Sequence, residues 1–586
     1  MLKQINCPED LKRLNPDELP ALADEIRAAL IEKLSRTGGH VGSNLGVVEL
    51  TVALHYVFSS PYDKIVWDVS HQCYAHKILT GRKDAFLNPD LYRSITGFTN
   101  INESPHDLFT VGHTSTSVSL ALGLAKSRDA AGGKENVVAV IGDGALGGGQ
   151  ALEALSCLGE YRNNLILILN DNDQSVAENH GGLYKHLKEL RETGGSCRNN
   201  LFKSLGLDYR YLENGHDTQQ LVALFKSVRD ADSPVVIHVH TIKGKGLDYA
   251  EKDKENWHSG APFAIESGEP KNGHPVYDTT VHDSLKALLD RDEKAVVLTA
   301  GTPRALGFVE PERSVYAAKG QFLDVGIAEQ NAMGISSGIA RYGGNAVFGV
   351  YSPFLQRAYD QLSHDICLNN SAATLLVLLP GAYGMKSNTH LGLCDIQLLS
   401  HVPGLVYMCP AYKEEYLKMF EYATSQNDHP TAIRVPCRFY ESGTEDTVDY
   451  SLINKARVVR KGKGCALIAV GSLIPKALKA ADDCKKATGM DITVIDPVFL
   501  SGVDEALLKE LKTDHSLVVT WEDGELWGGY GQQIASFYGD SDMKVLNFGL
   551  GKEFYTDFNA DELLSKNGIS SENLLNLIEK CFLRRG

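Results

Sequence analysis

Two short, wholly apolar runs, Val137-Val-Ala-Val-Ile141 and Leu165-Ile-Leu-Ile-Leu169, set the tightest limit on how this chain can fold. Neither alternates apolar with polar residues, as a strand with one wet face would, and each is too short for a buried helix. Both read as strands covered on both faces, which requires a parallel sheet with helices on either side. Comparable runs recur at Ala295–Thr299, Ala346–Val350 and Thr374–Leu379, then at Cys465–Val470, Ile492–Ile495 and Leu517–Thr520. The fold class expected is therefore α/β with mainly parallel sheets.

At 586 residues the chain exceeds a single hydrophobic core, since cores stop growing at roughly 250–300 residues. The stretch His258–Thr280 is rich in turn-forming residues and has no regular period, and the charged run Gly443–Tyr450 marks a second break. Three domains are expected, over 1–265, 281–445 and 455–586. Ser175–Asn200, polar and rich in Gly, His, Lys and Asn, reads as a surface loop, with a mobile lid as the alternative.

A net charge of −16 disfavours general nucleic-acid binding, although a local basic pocket for a phosphate is compatible with it. No run is long and apolar enough to cross a bilayer. Met1–Leu14 lacks both the apolar core of a signal peptide and the Arg/Ser bias of a transit peptide, so a cytoplasmic location is expected. The 11 cysteines form no CxxC pair, which points to neither a zinc site nor a disulfide framework.

The chemistry sits where the two apolar runs end. Gly142-Asp143-Gly144 follows the first and Asn170-Asp171-Asn172 the second, so both groups lie at the carboxyl edge of the sheet, where open α/β sheets bind ligands. Asp143 offers a carboxylate oxygen and Asn172 an amide oxygen, hard donors suited to Mg²⁺, which takes its remaining oxygens from phosphate or water. Glycines at 142, 144, 147, 148 and 149 let backbone approach phosphate oxygens, and a helix starting near Gly149 aims its positive end at them. A lone Gly-Asp-Gly is usually an ordinary turn; its pairing with Asn172, 29 positions on, resembles the thiamine diphosphate signature. That cofactor needs an acid at its aminopyrimidine to favour the imino tautomer, and Glu329 in Asp324-Val-Gly-Ile-Ala-Glu-Gln330 is the candidate.

Further stretches resemble the 1-deoxy-D-xylulose-5-phosphate synthase family more specifically. They are Gly38-Gly-His-Val-Gly-Ser-Asn-Leu-Gly46, Trp67-Asp-Val-Ser-His-Gln72, His76-Lys-Ile-Leu-Thr-Gly-Arg82, Gly112-His-Thr-Ser115, Lys243-Gly-Lys-Gly246, Trp257-His258 and Tyr351-Ser-Pro-Phe-Leu-Gln-Arg-Ala-Tyr-Asp-Gln361. The resemblance covers nearly the whole chain. It implies a homodimer of subunits with diphosphate-binding, pyrimidine-binding and transketolase C-terminal domains. The implied reaction condenses pyruvate with glyceraldehyde 3-phosphate and releases CO₂, within isoprenoid and thiamine precursor synthesis.

Carried over by position, Asp143, Asn172 and the Gln174 carbonyl would hold Mg²⁺. His71, Gly112, His113, Thr114, Gly144, Ala145 and Asn172 would line thiamine diphosphate, and Phe354 would stack on its pyrimidine. His40, His258 and His390 would hydrogen-bond or move protons around the substrates, and Arg357 would help hold an anionic one.

The resemblance has gaps. Where the family usually reads Asp-Arg-Ala-Gly and then Gly-Ala-Asp-Gly before Thr-His, this chain reads Leu378-Leu-Pro-Gly-Ala-Tyr-Gly-Met-Lys-Ser-Asn-Thr-His390, so an arginine becomes Leu379 and an aspartate Lys386. The family's Arg-Tyr-Pro-Arg-Gly becomes Arg434-Val-Pro-Cys-Arg438, with Cys437 in place of the second arginine. Asn331 and Leu247 are smaller departures beside the expected cofactor. The altered phosphate clamp keeps open a related thiamine-dependent carboligase or transketolase with another acceptor. A non-catalytic relative is a third reading, opposed by the intact Asp143, Asn172, Glu329 and His40.

Overall fold

The structure, a computed structural model, describes residues 1–271 and 278–583. Residues 272–277 of the expected first linker lie outside the described residues. The chain divides into two compact units, Met1–Val276 with Gly326–Ala328, and Tyr277–Val325 with Glu329–Gly586.

The first unit is built on five parallel strands, β1 (Lys64–Trp67), β2 (Val137–Gly142), β3 (Leu165–Asp171), β4 (Asp208–Leu212) and β5 (Pro234–His240), in the order β1-β2-β3-β5-β4. Successive residues of a strand point to opposite faces, and here the two faces feed different cores. Val138, Val140, Ile166 and Ile168 pack with residues of the helices Leu19–Thr37, Val48–Val57 and Thr218–Val228. Val137, Ala139, Ile141, Leu165, Leu167 and Leu169 pack with those of Ser117–Ala131 and Gly149–Glu160. Burial on both sides is what made these runs apolar throughout.

The second unit holds two sheets. The strands β6 (Ala295–Thr299), β7 (Phe322–Asp324), β8 (Asn345–Tyr351), β9 (Thr374–Leu378), β10 (Val406–Met408) and β11 (Thr431–Arg434) run parallel in the order β10-β11-β9-β8-β6-β7. The third sheet has the order β12-β14-β13-β15-β16, from β12 (Arg457–Arg460), β13 (Gly464–Ala469), β14 (Thr493–Asp496), β15 (His515–Glu525) and β16 (Lys544–Leu550), with β12 alone antiparallel. One face of the third sheet, including Ala466, Ile468 and Val518, shares a core with Leu298, Phe348 and Val377 of the second. That common core makes the two sheets one unit.

The segment Ser175–Asn200 differs from its reading as a loop. It contains the helix Gly182–Glu192, which buries Tyr184, Leu187 and Leu190. Its apolar residues are few and set among charges, so composition hid a narrow but regular stripe.

Candidate active site

In the first unit Gly142 at the end of β2 lies opposite Asn170 near the end of β3. The next residues of each strand, Asp143 and Asp171, are therefore neighbours at the carboxyl edge. Asp143 is only 2% exposed, and its Oδ2 accepts hydrogen bonds from the Gln174 backbone N–H (3.1 Å) and from Asn179 Nδ2 (2.7 Å). Burial, reinforced by the negative charge of Asp171, raises the Asp143 carboxyl above the usual carboxylate range. Asp171 goes the other way: burial opposes, but the His238 hydrogen bond and charge and the Arg191 guanidinium hold it low. Asp171 thus stays ionised and is consumed by protein partners.

Around Asp143, Asn172 Oδ1, Ser175 Oγ and Asn179 Oδ1 are buried with no hydrogen-bond partner among the described residues. Buried polar atoms left this way cost about 1–3 kcal/mol each, so three of them beside a buried carboxylate mark a place that a ligand completes. The set is all hard oxygen, which fits Mg²⁺ with a diphosphate. The Asn172 carbonyl accepts from Lys254 Nζ (3.0 Å), and the Ser175 carbonyl accepts from Lys243 Nζ. Burial pushes the Lys243 ammonium down to about 7. Neither Lys243, Lys254, Ser175 nor Asn179 was assigned a role from sequence; the Lys-Gly-Lys-Gly motif just after β5 was the one available signal.

The glycines of this loop have a steric reason. A Cβ on Gly144 would lie 2.6 Å from Ser175 Oγ, and one on Gly148 would lie 2.7 Å from Ser115 Cβ. Ser115 Oγ donates to the Ala145 carbonyl (2.7 Å), while the backbone N–H groups of Ser115 and Ser117 donate to the buried Asp68 carboxylate (2.7 and 2.9 Å). The loop carrying Gly112, His113 and Thr114 is thereby pinned between the end of β1 and the Asp143 turn.

Three expected histidines meet. Ring centroids are 5.1 Å apart for His40 and His71, 5.2 Å for His71 and His258, and 5.7 Å for His40 and His258, and Phe98 packs edge-on against His40 at 5.5 Å. Asn44 Nδ2 donates to the carbonyls of His40 (2.7 Å) and His71 (2.8 Å), and paired backbone bonds between Gly39 and Gly260 bring the His258 segment alongside. Lys243 Nζ lies 3.1 Å from His258 Nδ1. Burial first, then the Lys243 charge, holds His258 well below the ordinary imidazole range, so it is neutral.

In the second unit Glu329 opens the helix Glu329–Arg341 and is 5% exposed. Burial raises its carboxyl above the usual range, and the Arg357 charge works against that rise. Phe354, on the turn after β8, meets the His390 ring edge-on at 5.6 Å, and Thr389 Oγ1 lies 2.8 Å from His390 Nδ1. Burial pushes His390 down to about 4. Glu329 with Arg357, and Phe354 with His390, are thus the two groupings found here.

The cations near the divergent positions are engaged. Arg434 donates to Asp395 (2.6 and 3.2 Å) and Asp523 (2.7 Å), all buried. Arg438 lies over the Tyr440 ring at 5.3 Å, and Lys386 faces the charge of Asp561. Cys437 Sγ donates to the Pro380 carbonyl (3.4 Å), and burial pushes its thiol up to about 12. Leu379 leaves β9 with a left-handed backbone, φ 49°.

Residues 2–198 and 193–241 match the family model for 1-deoxy-D-xylulose-5-phosphate synthase. Residues 275–441 match the transketolase pyrimidine binding domain and 454–574 the transketolase C-terminal domain. The 1-deoxy-D-xylulose-5-phosphate synthase of Caldanaerobacter subterraneus subsp. tengcongensis is 38% identical, covering 99% of this chain and 98% of the relative. The enzyme of Carboxydothermus hydrogenoformans is 38% identical over 98% of each chain. The 1-deoxy-D-xylulose-5-phosphate synthase 1 of Geobacter sulfurreducens is 37% identical, over 100% of this chain and 98% of its own. With similarity of this degree running from end to end, the chain belongs to the 1-deoxy-D-xylulose-5-phosphate synthase family.

Proposed function

We propose that this protein is a thiamine diphosphate and Mg²⁺ dependent transferase that condenses pyruvate with glyceraldehyde 3-phosphate and releases CO₂. The observation that carries the reading is the buried Asp143 carboxylate, just past the end of β2, with the oxygens of Asn172, Ser175 and Asn179, on the chain leaving β3, buried without a hydrogen-bond partner among the described residues. Asp143, Asn172 and the Gln174 carbonyl hold the metal; His71, Gly112, His113, Thr114, Gly144 and Ala145 line the cofactor. When bound, thiamine diphosphate supplies a nucleophilic carbon and an electron sink for decarboxylating a 2-oxo acid. Glu329, its carboxyl raised by burial, would hydrogen-bond the aminopyrimidine ring as its acid. Phe354 would stack on that ring. His258 and His390, neutral at rest, would with His40 hydrogen-bond the donor and acceptor oxygens or move protons around them. Arg357 holds an anionic substrate group.

The domains run over 1–265, 281–445 and 455–586, the protein works in the cytoplasm, as the composition of Met1–Leu14 suggests, and it works as a homodimer, as the family resemblance implies. No described helix is long and apolar enough to cross a membrane. Light scattering of the purified protein tests the dimer.

A second reading, the same chemistry on a different acceptor, rests on one observation: Arg434 is spent on Asp395 and Asp523, while Leu379 and Cys437 offer no guanidinium. Labelled pyruvate, cofactor and Mg²⁺, incubated with and without glyceraldehyde 3-phosphate, separates the two. Labelled deoxyxylulose phosphate supports the first; CO₂ release with ligation only to other aldehydes supports the second; no cofactor binding refutes both.

A further inference from the structure

Asp171 stands between Asn170 and Asn172 yet faces away from the candidate metal position. Its carboxylate accepts two hydrogen bonds from Arg191 Nη1 (2.7 and 2.6 Å), one from His238 Nε2 (2.7 Å) and one from the Asp173 backbone N–H (3.1 Å). His238, on β5 beside β3, is held in turn by the Tyr209 hydroxyl of β4 at 2.8 Å from Nδ1. Arg191 also reaches forward, with Nη2 2.7 Å from Asp173. One guanidinium therefore grips the residues on both sides of Asn172.

Arg191 comes from the last turn of the helix Gly182–Glu192. The chain leaving Asn172 is tied at its start by Asp143, which binds Gln174 N–H and Asn179 Nδ2, and at its end by Arg191 folding back on Asp171 and Asp173. Asp173 has a positive φ of 60°, in the left-handed region that aspartate enters more readily than most non-glycine residues. The Arg191 contact with the Asp173 carboxylate helps hold it in that conformation.

We propose that Arg191 is a positioning residue for the metal-binding turn: by bridging Asp171 and Asp173 it presets the Asn172 amide oxygen and the Gln174 carbonyl for the divalent cation. The inference rests on the assignment of Asp143, Asn172 and Gln174 to that cation. Lysine at 191 places a charge there but cannot fork between two carboxylates, so the geometry of the guanidinium, beyond its charge, is what counts.

The test titrates wild-type protein, Arg191→Met, Arg191→Lys and Asp143→Asn with Mn²⁺ by electron paramagnetic resonance, and with thiamine diphosphate and Mg²⁺ by calorimetry. Outer partners of metal ligands typically change affinity by about 10–100-fold, and Arg191→Met should weaken metal binding within that range. Turnover at saturating metal should stay within about twofold of wild type, and Arg191→Lys should bind with intermediate affinity. A folded Arg191→Met protein with wild-type Mn²⁺ affinity overturns the proposal, as does a loss of turnover with affinity unchanged. If Arg191→Met does not fold, Arg191→Lys decides alone: wild-type affinity overturns, weakened affinity with normal saturated turnover supports. Should Asp143→Asn bind Mn²⁺ as wild type does, the metal assignment itself fails; a defect in Asp143→Asn without one in Arg191→Met fails only the inference.

Discussion

Replacing Gly148 by alanine is expected to disturb the Asp143 loop without touching any proposed ligand. The new Cβ would fall 2.7 Å from Ser115 Cβ and closer still to Ser115 Oγ, whereas carbon atoms rest about 3.5–4.0 Å apart. One side must move by roughly 1 Å to reach that separation. Ser115 is poorly placed to yield, because its Oγ is bonded to the Ala145 carbonyl and its N–H to Asp68. Overpacking of this kind costs about 1–3 kcal/mol, which is roughly a five- to 150-fold loss of cofactor affinity if binding requires the loop restored. Calorimetric titration with thiamine diphosphate and Mg²⁺ reads that loss. Ser115→Gly removes both colliding atoms, and the φ of 71° at Ser115 is one that glycine adopts freely. Alone, it forfeits a hydrogen bond worth about 0.5–1.5 kcal/mol; combined with Gly148→Ala it should recover most of the affinity, a coupling of about 1–2 kcal/mol. A double variant that binds no better than Gly148→Ala would refute the steric argument.

Other perturbations probe separate parts of the chain. Glu329→Gln preserves shape but cannot transfer a proton, so turnover should fall by about 10²–10⁴-fold while calorimetry still detects cofactor; normal turnover would remove Glu329 from the chemistry. Leu379→Arg with Cys437→Arg should lower the Michaelis constant for phosphorylated aldehydes, each restored charge-assisted bond being worth about 1.5–3 kcal/mol; an unchanged constant counts against that pocket assignment. Arg434→Met strands the buried Asp395 and Asp523 carboxylates and should cost about 3–5 kcal/mol, read as a lower urea midpoint for the second unit, and an unshifted midpoint contradicts it. Burial raises the Glu522 carboxyl to about 8, against the pull of the Tyr530 and Gly531 N–H groups. A carboxyl raised on folding contributes stability that is full below its unfolded pKa and is lost as pH climbs through the folded value. Glu522→Gln should therefore melt progressively higher relative to wild type as pH rises from about 4.5 to about 8, with the difference level above that; parallel melting curves from pH ~5 to ~8.5 would show that the group does not titrate there.

What could be read in advance follows from what each element asks of its residues. Strands covered on both faces demand apolar side chains at every position, so β2, β3, β6 and β9 announced themselves in sequence. The helix Gly182–Glu192 asks only for Tyr184, Leu187 and Leu190 on one stripe, and its charged remainder imitates a loop. The donors of the proposed metal position, Asp143 and Asn172, were legible because metal chemistry restricts the choice of donor. Lys243, Asn179 and Arg191 were not, because their roles come from burial and from partners far along the chain, as with Arg191 and Asp171 20 positions apart. The shared core of the second and third sheets escaped for a related reason. A strand face covered by its own domain's helices and one covered by a neighbour's need the same apolar residues, so Ala466, Ile468 and Val518 carry no mark of which partner they meet. Pattern reports that a surface is buried; only the folded chain reports against what.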